Sequence, residues 1–359
     1  MKVLKISLKP LEPYFFGNER NLFYEGVNAK TQSKSSGYFV KSENTPMQST
    51  LFGVLRYMGI IEKRIDFKLN QNDIENIGIS SFQLRKKEQS FGRIRQISSL
   101  YLEDESGEIY IRVPSDQEAF KEDDTRRVYQ GFQNFLDTPV MTQNGMRYIP
   151  KINLKDGFFD GYMRVRDGKC ISDSEIFKRI VQTGISINKK SDAFFKKEYC
   201  FLKDFSFTFY AEVEDEFPEI KDVCVKMGQG KTAFAVNVVE LRDQTYRQKE
   251  LEGMRISSRF PAEAQKIVLL SDSYVQDLKE LYACCYFVHT DTRDYRAMET
   301  VYHAKNQRQR YKKQEVLLKL LKAGSVFWVR PEKQETFMRL IEDKDAQIAG
   351  FNRYITGGE

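Results

Sequence analysis

Residues 2–9 alternate cations and polar groups with Val3, Leu4, Ile6 and Leu8, the period-two pattern of a strand with one buried face. The turn-rich Lys9-Pro10-Leu11-Glu12-Pro13 and a polar loop follow, through about residue 44. Leu51, Val54, Leu55 and Met58 then recur at helical spacing, with Asn44 or Thr45 available as a cap and Pro46 suited to the first turn. Strand patterns are predicted at Ile79–Leu84, Ile97–Leu102 and Glu108–Val113, the last two joined by the turn Asp104-Glu105-Ser106-Gly107. An acidic, helical piece is expected near 116–136, then irregular Gly- and aromatic-containing sequence through Gly184, read as an insertion carrying hairpins. Further strands are predicted at Phe205–Val213, Ala233–Leu241, Ile267–Leu270, Ser325–Val329 and Ile348–Tyr354. Helices are predicted at Ser273–Tyr286 and Glu332–Glu342.

A strand, a helix and then strands open a ferredoxin-like unit, the architecture of RNA-recognition domains. The pattern therefore predicts an α+β chain of two ferredoxin-like (RRM-like) domains separated by a hairpin or thumb insertion. The divisions are 1–114 for the N-terminal domain, 115–200 for the insertion and 201–359 for the C-terminal domain, which carries a glycine-rich loop.

Composition narrows the class. The 359 residues, 41% hydrophobic and 13% aromatic, suffice for more than one folded core. No stretch reaches the roughly 18 apolar residues of a membrane span, and the N-terminus lacks a signal-peptide core, so a cytoplasmic protein is expected. Five cysteines without a Cys-x-x-Cys pair, and only His289 and His303, do not supply a structural zinc site. Neither a metal nor another cofactor is expected, and the thiols are read as reduced.

The net charge of +6, from 57 basic and 51 acidic residues, is a mild excess. Its distribution says more. Cations gather at Arg85-Lys86-Lys87, Arg93/Arg95, Lys189-Lys190, Lys196-Lys197 and Lys305 to Lys313; acids gather at 116–124 and 212–219. Such segregation suits a chain touching RNA on one side and protein on another.

The segment Met227-Gly228-Gln229-Gly230-Lys231-Thr232 contains the Gly-Lys-Thr of a nucleotide-hydrolase phosphate loop. That motif needs glycine at position 225, which is valine, and a following helix, whereas residues 233–239 read as a strand. Nucleotide hydrolysis is rejected. What remains is either a tight turn with a solvated lysine or a backbone able to approach a phosphate closely, with Lys231 beside it.

Four other sets are candidates for RNA contact. Ser49 and Thr50 lie in a helix's first turn, where free N–H groups favour phosphate, with Arg56 one to two turns on; ordinary capping is the plainer role. Tyr162, Arg164 and Arg166 alternate on one hairpin face, fit for stacking and phosphate contact or for protecting an edge strand. Gly184, Ile185, Asn188, Lys189 and Lys190 form a strand ending in a basic tip. Lys305, Arg308, Arg310, Lys312 and Lys313 place five cations in nine residues without an acid. A solvated surface cluster accounts for either run without RNA. No histidine pair, nucleophile elbow or Cys/His signature supports an enzyme.

Several segments in order resemble the RAMP superfamily of CRISPR proteins, and within it the guide-capping subunits of type III-B (Cmr) complexes. They are Leu8-Lys9-Pro10-Leu11-Glu12-Pro13-Tyr14-Phe15-Phe16, the Pro46-Met47-Gln48-Ser49-Thr50-Leu51 helix start, Thr183 to Asn188, the loop Met227 to Lys231, Ala323 to Phe327 and Ala349 to Asn352. The loop has Gly-Gln-Gly-Lys where Gly-Gly-Glu-Gly-Arg is usual, which keeps the glycines and the basic end. The resemblance implies a non-catalytic, RNA-binding subunit gripping the repeat-derived 5′ handle of the crRNA in antiviral defence. A thumb hairpin in the insertion would meet the handle–spacer boundary. It further implies docking to the large polymerase- or cyclase-like subunit and to a backbone RAMP subunit, with target RNA reached only indirectly. The alternatives are a guide-processing endoribonuclease of the same superfamily, or the equivalent subunit of a type III-A or III-D complex.

Overall fold

The computed structural model describes residues 1–17, 22–27, 34–60, 70–78, 81–121, 126–143, 145–152, 155–188, 191–221, 223–228, 230–241, 256, 260–303 and 308–357. It is a mixed α+β structure, mostly sheet with few and short helices. In chain order the strands begin with β1 (Lys2–Pro10), β2 (Leu22–Val27), β3 (Lys34–Lys41), β4 (Ile94–Ile97), β5 (Tyr101–Asp104) and β6 (Ile109–Arg112). Next come β7 (Val140–Thr142), β8 (Gly145–Arg147), β9 (Gly161–Arg164), β10 (Cys170–Ser172), β11 (Phe177–Asn188), β12 (Ser191–Leu202), β13 (Phe205–Val213), β14 (Cys224–Met227) and β15 (Thr232–Leu241). The last third supplies β16 (Gln265–Leu269), β17 (Cys285–His289), β18 (Thr292–Tyr295), β19 (Met298–His303), β20 (Arg308–Lys313), β21 (Leu318–Leu321), β22 (Val326–Val329) and β23 (Tyr354–Thr356). The helices are α1 (Gln48–Met58), α2 (Gln71–Ile77), α3 (Asp173–Ile176), α4 (Leu278–Ala283), α5 (Gln334–Ile341) and α6 (Lys344–Ile348).

The first sheet runs β10-β9-β6-β5-β13-β1-β15-β14, with β4 also on β13. β1 lies between β13 and β15, antiparallel to both. Its alternation is explained by the two faces: Leu4, Ile6 and Leu8 are buried with Leu51, Phe52, Leu55 and Met58 of α1. On the opposite face Lys5 reaches Glu103 at 2.6 Å.

The second sheet runs β17-β22-β16-β23, all neighbours antiparallel. One face packs on α4 and α5 through Ile267, Phe327, Leu281, Phe337 and Ile341. The other meets the first sheet, where the single tryptophan, Trp328, is fully buried in a cluster with Val3, Tyr101, Tyr210 and Phe132. Lys266, buried there too, is matched by Asp116 at 2.6 Å and by the Tyr129 hydroxyl. A third sheet, β11-β12-β3-β2, is built on a long hairpin of two 12-residue strands.

The first sheet draws strands from both sides of positions 114 and 201: β13 and β15, from the 201–359 division, flank β1, and β9 and β10 extend the same sheet through β6. Side-chain alternation identifies a strand but not its neighbour, and here the neighbours lie about two hundred residues away. Several expectations are corrected. Residues 116–121 and 126–136 are not helical; their backbone makes isolated bridges such as Glu118 to Phe158 and Phe135 to Pro150. Residues 22–27 and 34–41, read as a polar loop, form β2 and β3. The described part of Ile79–Leu84 is loop, and the segment read as a strand over 348–354 carries the end of α6 before β23. No helix among the described residues is long and apolar enough to cross a membrane.

Candidate nucleic-acid interface

The glycine loop is the turn between β14 and β15, and a strand, not a helix, follows it. Gly228 has φ +73°, and a Cβ there would stand 2.5 Å from the Phe15 carbonyl oxygen. Only glycine fits both demands. Lys231 closes the turn, its amide donating to the Gly228 carbonyl at 3.2 Å, and both it and Gly230 are exposed. Gln229 lies outside the described residues.

The loop's close approach to Phe15 leads to the long hairpin. Tyr14 and Cys200 exchange both backbone hydrogen bonds, at 2.8 and 2.9 Å, which stitches the chain at 14–16 to β12. The Phe15 ring meets Tyr199 edge-on at 5.9 Å. Lys197 lies over both rings, its Nζ 4.1 Å from the Phe15 centroid and 4.8 Å from that of Tyr199. Lys197 is in no ion pair among the described residues. Cation–π contact holds the ammonium without neutralising it, so the positive charge remains available to an anion.

Further along the hairpin, Lys178, Ile180, Gln182 and Gly184 are paired with Phe201, Tyr199, Lys197 and Phe195. Cross-strand partners share a face, so this face interleaves aromatic rings with cations. A Cβ at Gly184 would stand 2.2 Å from Cζ of the Phe195 ring. The glycine therefore gives the ring room to lie across the neighbouring strand, the arrangement called aromatic rescue. A positive groove with planar rings is what single-stranded RNA uses, charge for the backbone and stacking for the bases. Ile185 and Asn188 continue the strand toward the tip, where Lys189 and Lys190 lie outside the described residues.

Other residues singled out by sequence are engaged elsewhere. Tyr162 is buried, with the Arg112 guanidinium 5.3 Å from its ring centroid and Phe177 at 5.9 Å. Burial pushes its phenol up to about 12, against the opposing pull of Arg112. It is a core residue and presents no face to a base. Arg164 donates its Nε to Asp167 at 2.8 Å, and that hydrogen bond holds the guanidinium above its ordinary pKa. Arg166 pairs with Glu108 at 2.7 Å. The expected hairpin face is instead an internal strand of the first sheet, because β6 and β10 flank β9.

At α1 the N-cap position is Met47, with no side-chain cap, so neither Asn44 nor Thr45 caps it. Asn44 donates to Asp173 at 2.6 Å and accepts from Arg179 at 2.8 Å. Ser49 is hydrogen-bonded with the Tyr295 hydroxyl, and Thr50 is half-buried. Arg56 donates to the carbonyls of Ile77 and Gly78 at 2.8 and 3.2 Å, closing the end of α2. Burial lowers its guanidinium to about 10. It caps the end of α2.

The basic run near the C-terminus belongs to a separate two-stranded sheet, β19 with β20. Arg308, Arg310 and Lys312 take alternate positions in β20, opposite His303, Val301 and Glu299. The run is thus part strand rather than a loop; Lys313 at its end is exposed, and Lys305 lies outside the described residues. His289 is held by a 2.7 Å contact between its Nδ1 and the Ser115 carbonyl, with its ring 4.3 Å from Phe158.

Sequence reasoning did not place Phe15, Phe195, Lys197 or Tyr199 at the site. The signal was present in Phe195-Lys196-Lys197-Glu198-Tyr199, an aromatic–basic alternation registered only as a charge cluster.

No known family model matches the chain, and no curated protein matches it. Among solved structures it is similar to a chain of the type III-B Cmr-beta complex bound to cognate target RNA, at 13% identity and a TM-score of 0.48, covering 98% of this chain and 96% of that one. It is similar to a chain of that complex bound to target RNA and AMPPnP, at 12% identity and a TM-score of 0.45, with the same coverage. It is also similar to a chain of the Csm3-Csm4 subcomplex of the type III-A CRISPR-Cas interference complex, at 14% identity and a TM-score of 0.35, covering 92% and 93%.

Proposed function

We propose that the chain is a non-catalytic RNA-binding subunit of a type III-B CRISPR effector complex, capping the 5′ handle of the crRNA. One observation carries the reading: the glycine loop at 228–231 and the Phe15–Lys197–Tyr199 cluster at the root of the long hairpin are joined through Phe15. The loop offers exposed backbone and Lys231; the hairpin offers the half-buried Phe195 and Tyr199 rings and an unneutralised ammonium, with the buried Phe15 ring as their support. Together they match the two needs of a single strand, phosphate contact and base stacking.

The sheet orders also support the reading. β16, α4, β17, β22, the α5–α6 pair and β23 run as strand, helix, two strands, helix and strand, with β18–β21 intervening between β17 and β22, and take the spatial order 2-3-1-4. β1, α1, β5, β13 and β15 give the same spatial order, with the hairpin inserted between the second and third strands. That strand order is the one a ferredoxin-like unit has, which supports the reading, although among the described residues no helix lies between β13 and β15. On this reading the large polymerase- or cyclase-like subunit and a backbone RAMP subunit are protein partners, and the complex works in the cytoplasm. The type III-A or III-D equivalent is distinguished by which partners co-assemble.

The test is cross-linking and mass spectrometry on the complex assembled around a guide with photoreactive handle nucleotides. Cross-links are expected in the peptides holding Gly228–Lys231 and 195–199. Efficient handle cross-links confined to other subunits would reject the cap. Metal-free cleavage of repeat RNA that co-purifies with this chain would favour the endoribonuclease alternative.

A further inference from the structure

The cations Arg85-Lys86-Lys87 take no part in the interface described above, yet the chain holds them in a defined shape. The loop 83–90 that carries them is organised by one side chain. The Gln89 amide accepts from the Gln83 N–H at 2.8 Å and donates to the Gln83 carbonyl at 2.9 Å and the Lys86 carbonyl at 2.8 Å. It thereby pairs with residue 83 as a strand would, while holding the middle of the turn. The Lys86 backbone N–H adds a bond to the Gln83 carbonyl at 3.1 Å, and the Gln89 backbone N–H donates to the Asp345 carboxylate of α6 at 3.3 Å. Phe82, Leu84 and Phe91 are buried at the two ends, and the Phe82 and Phe91 rings pack on Phe52 of α1.

At the tip, Arg85, Lys86 and Lys87 are all exposed, and none is in an ion pair among the described residues. Nearby arginines differ: Arg93 binds Asn76 and Arg95 pairs with Glu214. The local acids leave a positive balance. Glu88 adjoins the tip, Asp345 accepts from Gln89, Asp343 caps α6, and Lys344 adds a further exposed cation. Like charges on three successive residues repel, and fixing them side by side stabilises nothing within this chain. It lowers the ordering cost of binding an anion that meets all three.

We infer that the 83–90 loop is a second RNA contact, a sequence-independent clamp on the phosphate backbone distinct from the base-stacking surface of the hairpin. RNA is favoured over an acidic protein segment by what the loop lacks. None of the exposed large apolar residues lies within 83–90 or in α6. A protein interface is anchored by buried apolar or aromatic side chains, whereas cations bind a phosphate backbone without any apolar anchor. The inference does not rest on the handle reading, since it needs neither the glycine loop nor the hairpin.

The experiment measures binding of fluorescein-labelled polyuridine to the full chain across a salt series. R85A/K86A/K87A is expected to reduce the slope of log K against log salt by about 2, at about 0.7 per lost phosphate contact, and to weaken binding at least tenfold near ~50 mM salt. The charge-preserving R85K/K86R/K87R is expected to keep the wild-type slope, which separates lost charge from damage to the loop. An unchanged slope in the alanine variant, or no polyuridine binding by the wild type, overturns the inference. So does polyglutamate binding the wild type as tightly as polyuridine and losing that affinity in the alanine variant, which assigns the loop to an acidic peptide. The handle reading fails separately, through missing cross-links at 195–199 with the loop's salt slope intact.

Discussion

β9 and β12 look alike as sequence. Tyr162-Met163-Arg164-Val165-Arg166 and Phe195-Lys196-Lys197-Glu198-Tyr199 both mix aromatic and basic residues at strand spacing. In the fold they are opposites. β9 lies inside the first sheet, its tyrosine under Arg112 and its two arginines matched by Asp167 and Glu108. In β12, Lys197 rests on two rings and meets no carboxylate among the described residues. A cation and a ring become a ligand site only where the fold supplies no internal partner for the charge. Alternation alone does not report that.

The difference can be broken most severely at Tyr162. Tyr162→Ala removes a buried ring and is expected to destabilise the chain by about 3 kcal/mol or more, read as a lower denaturant midpoint. RNA affinity per folded molecule should not move. Tyr199→Ala is expected to do the reverse, weakening RNA binding by about 1–3 kcal/mol for a lost stacking partner. Its stability should stay near wild type, and a collapse in stability without a binding change would make β12 another structural strand. Gly184→Ala tests the same surface more gently. Its methyl group would displace the Phe195 ring, so RNA affinity is expected to fall severalfold in a titration.

The smallest effect concerns β9 and acid. The Arg164 hydrogen bond depresses the Asp167 carboxyl, with burial opposing it. The folded carboxylate is therefore favoured at neutral pH, and its contribution disappears as pH falls below about 4, through the folded pKa. Arg164→Gln should lower stability slightly at pH 7, and the gap to wild type should close on acidification. Solvent around the half-exposed Asp167 keeps the gap small. A gap that widens in acid would mean the arginine acts through another group.

Much of the fold was legible where periodicity was local. β1, α1, β6, β13, β15 and β22 lie where the apolar pattern placed them, each a short run whose burial follows from its own residues. The failures share a cause. The 116–136 segment has helical composition, yet Tyr129, Phe132 and Phe135 fill the space between the two sheets, and tertiary burial overrides the local preference. That Arg56 reaches the end of α2 was not legible, because nothing in the sequence shows that α2 ends beneath it. At the site, the glycine loop was visible as chemistry. Its contact with Phe15 was not, since it joins residues more than two hundred positions apart.

The placing of β1 has a consequence for how the chain is made. Its two partners, β13 and β15, are the 205–213 and 232–241 segments. A ribosome adding about 5–20 residues per second reaches them some ~10–40 seconds after β1 has emerged. During that interval Leu4, Ile6 and Leu8, and the apolar side of α1 that will cover them, lack the strands they pack with. The nascent chain thus carries an unpaired, apolar strand until residues 205–241 have been made. Slowing translation between residues 104 and 205 should lengthen that exposure and lower the soluble yield, whereas slowing it after residue 241 should not.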